Sequence, residues 1–145
     1  MKRLAYAAFF VSMMVSVRTV ADAPADRYMI NASQGIVTDL RTGLTWQHPA
    51  NTSTYTWDQA ASYCRGLSIA LSGGFRVPTL KELLTLVDPT RIRPAIDLKA
   101  FPNAPAEWFW TASNRASAGP AAVSFATGGS GFFRATDALR VRCVR

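Results

Sequence analysis

Basic residues outnumber acidic residues in this chain, and most of the basic residues are arginines. Thirteen arginines and three lysines stand against nine carboxylate side chains, which gives a formal net charge of +7. The guanidinium group is planar and pairs bidentately with carboxylate, sulfate or phosphate. The composition therefore indicates an anionic partner, and a soluble basic surface without a specific ligand remains open as the alternative.

The closing stretch RVRCVR alternates charged and smaller residues over its first four positions. Successive side chains of a strand point to opposite faces. Residues 139–144 are therefore predicted to form a half-buried strand, with Cys143 facing the core and with Arg140 and Arg142 facing outward. A charged edge strand that only guards against aggregation is the alternative to a ligand-binding face.

The predicted ligand-binding face extends beyond that strand. Arg134 lies on the strand predicted just before it, and antiparallel pairing would bring this residue into the same patch. Arg91 and Arg93 belong to the proline-rich segment 88–107, and an irregular stretch of this length is typical of a functional or flexible loop. Trp108 is the tryptophan least committed to an apolar pattern. The full set predicted to bind ligand is Arg134, Arg140, Arg142, Arg145, Arg91, Arg93 and Trp108.

Catalytic and metal chemistry find little support in the sequence. His48 is the only histidine and lies in a polar loop, where a solvated side chain is the usual state. Asp88 and Asp97 could offer oxygens to a calcium ion, but for Asp97 capping, or pairing with an arginine such as Arg76, is favoured. No nucleophile and base can be assembled into a constellation. We therefore expect a protein that is not an enzyme, with no catalytic residues, no metal site and no cofactor.

Residues 1–23 have the pattern of a secretory signal peptide. Lys2 and Arg3 precede an apolar run, and Ala21-Asp22-Ala23 supplies small residues for cleavage. Export to the periplasm or the medium is therefore expected, with no stable membrane span after cleavage. Because Arg18 lies close to the cleavage site, an uncleaved anchor remains the alternative.

The chain has two cysteines, Cys64 and Cys143. An oxidising compartment favours one disulfide between them. Cys64 lies on the apolar face of a predicted helix, and Cys143 lies on the inward face of the closing strand, so both point toward the core. Two buried free thiols remain the alternative.

Local signals predict an α+β fold, with two short helices packed on a mostly antiparallel sheet. Thr56 with Gln59 and Thr79 with Glu82 form two capping boxes, each followed by apolar residues at helical spacing. Short strands flank a turn at 41–43. Further strands are predicted at 107–113, 121–128, 131–136 and 139–144. The domain is expected to span 35–145, after a flexible lead-in over 24–34.

An ordered series of motifs resembles a bacterial family, the Legionella collagen-like protein C-terminal domain, long listed as a domain of unknown function. The series is GIVTDLRTGLTWQ, TWDQAASYCRGL, FRVPTLKELLTLVD, FWTAS, VSFATG and VRCVR, and it covers residues 35–145. The resemblance implies a C-type-lectin-like fold with paired terminal strands. It also implies a secreted adhesion role, since the founding member binds sulfated glycosaminoglycans through basic residues and acts as a trimer on a collagen-like stalk. This chain has no Gly-x-y repeat, so no stalk enforces trimers here.

Two functional hypotheses follow from these observations, beside a third, a degenerate relative of an enzyme, which would require a free thiol or a metal. The first is an exported recognition or adhesion module that binds an anionic glycan, sulfated or carboxylated, through an arginine-lined face. The second is a structural or assembly domain of the cell envelope that binds protein partners without binding glycans. Nucleic acid is not an expected partner, because an exported protein does not meet it in the cell, and a homo-oligomer is compatible with both hypotheses.

Overall fold

The computed structural model describes residues 27–49 and 51–145. The predicted signal peptide and the first residues of the predicted lead-in lie outside this part of the chain. A flexible lead-in was expected up to residue 34, but a strand and a short 3-10 turn occupy residues 28–34, so that prediction is wrong there. Pairing with the next strand orders this segment. The first antiparallel sheet consists of β1 (Tyr28–Asn31), β2 (Ile36–Asp39) and β3 (Thr45–Gln47), in the order β1-β2-β3.

A buried ion pair holds β1 to the rest of the domain. The Arg27 guanidinium donates to both carboxylate oxygens of Asp39, at 3.3 and 2.7 Å, and to the backbone oxygen of Thr85 at 2.6 Å. The Asp39 side chain is fully buried. Because the pair also reaches the end of the second helix, it fixes the sheet against that helix.

Both predicted helices are present, and both capping boxes are confirmed. Helix α1 spans Trp57–Gly66 and helix α2 spans Leu80–Leu84. The hydroxyls of Thr56 and Thr79 accept hydrogen bonds from the backbone N–H groups three residues later. In return, the side-chain oxygens of Gln59 and Glu82 accept hydrogen bonds from the backbone N–H groups of the two threonines. These bonds satisfy orphan donors of the first turn and start each helix where the sequence indicated.

The second half of the chain forms its own three-stranded antiparallel sheet. It consists of β4 (Trp108–Arg115), β5 (Gly119–Ser124) and β6 (Ser130–Phe132), in the order β4-β5-β6. The prediction of one mostly antiparallel sheet is therefore wrong, because the described residues form two separate sheets. Antiparallel pairing and two short helices were predicted correctly.

The closing segment 139–145 lies between the two sheets. On one side, the N–H groups of Thr45 and Gln47 donate to the carbonyls of Arg145 and Cys143, at 2.9 and 3.0 Å. On the other side, Arg140 runs parallel to β4 and exchanges backbone hydrogen bonds with its first residues. The segment pairs through isolated bridges rather than as a regular strand, and both of its faces are covered.

One disulfide fastens this segment to α1, as the sequence predicted. Cys64 and Cys143 are bonded, with their Cα atoms 5.5 Å apart and 79 positions apart in sequence. Both residues are fully buried in a cluster that includes Phe75 and Trp110. A second cluster, built around Trp46 and Phe101, fills the space between the first sheet and the loop that precedes β4. Neither described helix has the length and apolar character that crossing a membrane requires.

Candidate anion-binding site

The structure does not form the predicted arginine face, because Arg142 points inward. Its side chain is 1% exposed, its Nη1 donates to the carbonyls of Gln47 and His48 at 2.6 and 3.0 Å, and its guanidinium lies 4.7 Å from the ring centre of Phe101. The prediction that Arg142 faces outward is wrong. Alternation along the segment separates two faces, but the two sheets cover both of them.

Arg142 has no charged partner among the residues that the structure describes. Its Nε and Nη2 atoms are buried and meet no hydrogen-bond acceptor within that part of the chain. Burial lowers the pKa of the Arg142 guanidinium to about 10. A buried donor without an acceptor costs about 1–3 kcal/mol, and more when the group is charged, so this residue is held at the expense of stability.

Arg140 is neutralised by a carboxylate. Its Nε and Nη2 donate to the two carboxylate oxygens of Glu107, at 2.6 and 3.2 Å, and its Nη1 donates to the backbone oxygen of Thr52. The hydrogen bond to Glu107 raises the pKa of Arg140 and lowers the pKa of the Glu107 carboxyl. Arg140 therefore ties a loop to the start of β4 and offers little free charge to a ligand.

The other predicted arginines are scattered. Arg91 pairs with Asp88 at 3.0 Å. The guanidinium of Arg145 lies over the ring of Phe75, 5.0 Å from its centre. Arg93 is exposed, and its backbone N–H donates to the carbonyl of Ala126 at 3.0 Å. None of the three lines the same depression as Arg134.

Trp108 and Asp97 each make a contact within the fold. Trp108 is half-buried and packs edge-on against Phe133, with ring centres 4.8 Å apart. Asp97 caps a turn by accepting from the N–H of Lys99 at 2.7 Å. Asp97 was also considered as a partner of Arg76, but that arginine pairs with Glu82 instead, at 2.6 Å. No group of three potential metal ligands occurs within the described part of the chain.

Arg134 lies in an open groove at the far end of the second sheet, which we call the hairpin groove. The turn between β4 and β5 forms one wall, and the segment that follows β6 forms the other. Its volume is about 640 Å³. The lining residues are Trp57, Asn114, Ala116, Ala118, Gly119, Pro120, Phe132, Phe133, Arg134, Ala135 and Asp137.

Glycine at position 119 brings the two walls of the hairpin groove together. Gly119 has a φ of +89°, and a Cβ there would lie 2.5 Å from the backbone oxygen of Phe133. The N–H of Phe133 donates to the carbonyl of Pro120 at 3.0 Å, which holds the walls at this spacing. Only a residue without a side chain permits both the turn and the close approach.

One cation lines the hairpin groove, and a second lies against a residue of its lining; neither has a carboxylate partner among the described residues. Arg134 is exposed, and the guanidinium of Arg115 stacks 5.1 Å from the ring centre of Phe132, which is itself 44% exposed. No ion pair to either arginine is found among the described residues. The Asp137 carboxylate accepts from the backbone N–H of Arg134 at 3.0 Å and so orders the chain beneath that side chain.

The arrangement suits an anionic ligand with a ring or chain body. Guanidinium groups supply charge-assisted hydrogen bonds, the exposed ring of Phe132 supplies an apolar face, and Asn114 adds donors and an acceptor. Sequence reasoning placed Arg134 in the candidate site but missed Arg115, Asn114 and Phe132. The polar turn signal NRASAG between two predicted strands could have indicated the first two. Nothing local indicated that this turn meets the segment after β6.

The comparison with known families gives one match. The model of the Lcl C-terminal domain family matches residues 35–145. This chain belongs to the Lcl C-terminal domain family. Comparison with curated proteins and with solved structures gives no match.

Proposed function

We propose that this Lcl C-terminal domain protein is an exported, non-catalytic recognition module that binds an anionic glycan through the hairpin groove. The single observation that carries the proposal is the pair Arg115 and Arg134. Arg134 lines the groove, Arg115 lies over the exposed ring of Phe132 in the groove lining, and no carboxylate of the described residues neutralises either arginine. The proposal therefore moves the predicted binding face away from the closing segment.

Three further observations support an anionic ligand. The chain carries an excess of basic residues, and four of its other described arginines are paired with carboxylates. Steering by net charge favours encounter with polyanions. The family resemblance implies recognition of sulfated glycans. This implication is an analogy, so the proposed function rests on the residues of the groove.

We also infer that the domain has a C-type-lectin-like fold. The pairing of β3 with the closing segment supports this inference, because it brings the two ends of the domain together. Export is supported by the signal-peptide pattern of residues 1–23 and by a buried disulfide, which forms and persists in oxidising compartments.

Retention on immobilised heparin across a salt series tests the proposal. We expect steep salt dependence for the unaltered protein. The double variant Arg115→Ala with Arg134→Ala should lower the slope of log retention against log salt by about 1.5 units, by analogy with counterion release at about 0.7–0.9 units per contact. A parallel column of polygalacturonate, which carries carboxylates alone, separates sulfated from carboxylated ligands.

A charge-matched control makes the result specific. The double variant Arg41→Ala with Arg65→Ala also removes two exposed arginines, but these lie in the turn after β2 and on α1, outside the hairpin groove. Equal losses of retention in the two double variants would mean that net charge alone explains heparin binding. That result would overturn the assignment of binding to the groove.

The outer edge of β1 favours a second candidate function, a protein-binding domain of the envelope. Among the described residues β1 pairs with β2 alone, and two adjacent residues of β1, Met29 and Ile30, are 58% and 44% exposed. An open edge with apolar side chains can accept a partner strand. Under this candidate, Met29→Glu with Ile30→Glu abolishes co-purification with a defined envelope protein, while Arg115→Ala with Arg134→Ala leaves co-purification unchanged.

A further inference from the structure

The buried guanidinium of Arg142 presents one unused edge. Its Nη1 is committed to two carbonyls, whereas the Nε and Nη2 atoms have no acceptor among the described residues. These two atoms form the side of the guanidinium that donates two parallel hydrogen bonds to a carboxylate. Buried polar groups in folded proteins are ordinarily hydrogen-bonded, so a cation left in this state requires a physical explanation.

The same edge holds a carboxylate in two other arginines of this chain. Arg27 uses its Nε and Nη2 to bind both oxygens of Asp39, at 3.3 and 2.7 Å. Arg140 uses the same two atoms to bind Glu107, at 2.6 and 3.2 Å. At Arg142, which is more deeply buried than either, no acidic side chain of the described residues accepts from this edge.

A depression adjoins the two segments that enclose Arg142, and we call it the proline-lined depression. Arg142 donates to the carbonyl of His48 on one side and stacks on Phe101 on the other. The wall of the depression includes His48 and the residue that follows Phe101. Its volume is about 310 Å³, near the lower end of the range for small-ligand sites, about 300–1,000 Å³. It is lined by His48, Pro49, Asn51, Thr52, Pro102, Asn103, Pro105 and Arg140.

We propose that Arg142 anchors a binding site for a small carboxylic acid at the base of the proline-lined depression. The carboxylate pairs with the Nε and Nη2 edge of Arg142, and the three proline rings of the wall contact the apolar body of the molecule. Arg142 is buried and does not itself line the depression, so binding requires a local separation of the wall segments from Phe101. This site is separate from the hairpin groove and stands or falls independently of the proposed glycan binding.

Carboxylate is favoured over a tetrahedral anion by the pairs that this chain itself forms. Two adjacent donors in one plane pair bidentately with the oxygens of an oxyanion, and the same two atoms bind carboxylates at Arg27 and Arg140. Charge complementarity also holds, because the added anion would meet a cation whose own pairing is incomplete.

The single histidine of the chain provides a direct probe of this site. Burial lowers the pKa of His48, and the nearby positive charge of Arg142 lowers it further. A carboxylate bound at Arg142 offsets that charge, so it raises the pKa of His48 toward its ordinary value. Arg140 lines the same depression, but Glu107 already offsets its charge. The imidazole proton resonance of His48 is unambiguous in NMR spectra of the purified protein, because no other histidine is present.

The experiment is a pH titration of His48 in sodium acetate, sodium butyrate, sodium sulfate and sodium chloride at equal ionic strength. We expect a saturable rise in the pKa of His48 with acetate and a rise at lower concentration with butyrate, whose longer chain reaches the proline rings. Titrations that are identical in acetate, butyrate and chloride would overturn the proposal. A rise with sulfate equal to that with acetate would overturn the carboxylate assignment.

Two variants complete the test. Arg142→Lys keeps a cation but lacks the planar edge, so the acetate effect should be lost, whereas Arg115→Ala with Arg134→Ala should retain it. Persistence of the acetate effect in Arg142→Lys would show that the anion acts on His48 directly and would overturn the proposal. Should Arg142→Lys fail to fold, the ¹⁵Nε–¹Hε signal of Arg142 in the unaltered protein decides, because a saturable shift with butyrate is required.

Discussion

Arg140 and Arg142 lie two positions apart and have opposite electrostatic surroundings. Arg140 forms a bidentate pair with Glu107, while Arg142 is buried with two guanidinium nitrogens that meet no acceptor among the described residues. The closing segment runs between two sheets, so the side chains of Arg140 and Arg142 lie in two different environments. Neither arginine belongs to an open cationic face. This relationship moves the candidate polyanion site away from the end of the chain.

Arg140→Ala should leave the salt dependence of heparin retention almost unchanged, because the charge removed is already offset by Glu107. We expect the free energy of unfolding to fall by about 0.2–1 kcal/mol, the range usual for an exposed ion pair. Retention and urea denaturation of the same preparation measure both quantities. A loss of slope as large as that of Arg115→Ala with Arg134→Ala would place Arg140 in the binding site after all.

Removal of the disulfide should have the largest single effect on stability. Cys64 and Cys143 close a loop across 79 positions and fasten the closing segment to α1. The chain-entropy treatment gives a loss of about 4 kcal/mol for Cys64→Ala with Cys143→Ala. The free energies of unfolding of the oxidised protein and of the double variant are compared by denaturant unfolding. A difference below about 1 kcal/mol would mean that backbone hydrogen bonds alone are enough to hold the closing segment in place.

Glu82 should make stability depend on pH in the acidic range. Its hydrogen bond with Arg76, followed by those from Thr79, lowers the pKa of the Glu82 carboxyl to about 2. The unfolded value is about 4.3, so the stabilisation is present above that pH and is lost as the pH falls toward 2.

Glu82→Gln should therefore cost about 1 kcal/mol near neutral pH, through loss of the ion pair and part of the cap. The difference from the unaltered protein should shrink between pH 4 and pH 2, within the range given by these pKa values. Thermal denaturation across this range tests it. A difference that stays constant with pH would show that the ionised carboxylate has no role.

Gly119 and Gly43 form a matched pair for testing how the hairpin groove is built. Both have positive φ, at +89° and +73°, but a Cβ at Gly119 meets the backbone of Phe133 while one at Gly43 meets nothing within 4 Å. Gly43→Ala should cost about 1 kcal/mol from backbone strain alone. Gly119→Ala should cost about 3 kcal/mol because strain and the clash combine, as denaturant unfolding of both variants would reveal. Equal costs would contradict the close approach.

The elements that sequence reasoning recovered are those specified by neighbouring residues. Thr56 with Gln59 and Thr79 with Glu82 each carry a complete capping box within four positions, so both helix starts were predictable. The pairing of Cys64 with Cys143 followed from composition and from their inward positions.

The errors concern long-range packing. The alternation of side chains along the closing segment places Arg142 and Cys143 on opposite faces. It does not indicate that a second sheet covers the face on which Arg142 lies. In the same way, the meeting of the turn at Gly119 with Phe133 depends on the pairing of β5 with β6. The candidate site was therefore predicted for Arg134 and missed for Arg115, because the contact of Arg115 with Phe132, a residue that lines the groove, forms only in the folded chain.

The most direct test of the central claim is a map of the surface that a sulfated oligosaccharide contacts. A size-defined heparin fragment would be titrated into ¹⁵N-labelled protein, and the backbone amide shifts would be recorded. Our account predicts saturable shifts concentrated at residues 114–119 and 132–137, around the hairpin groove. Shifts concentrated at 139–145, or spread evenly over the basic surface, would contradict the claim that this groove is the binding site.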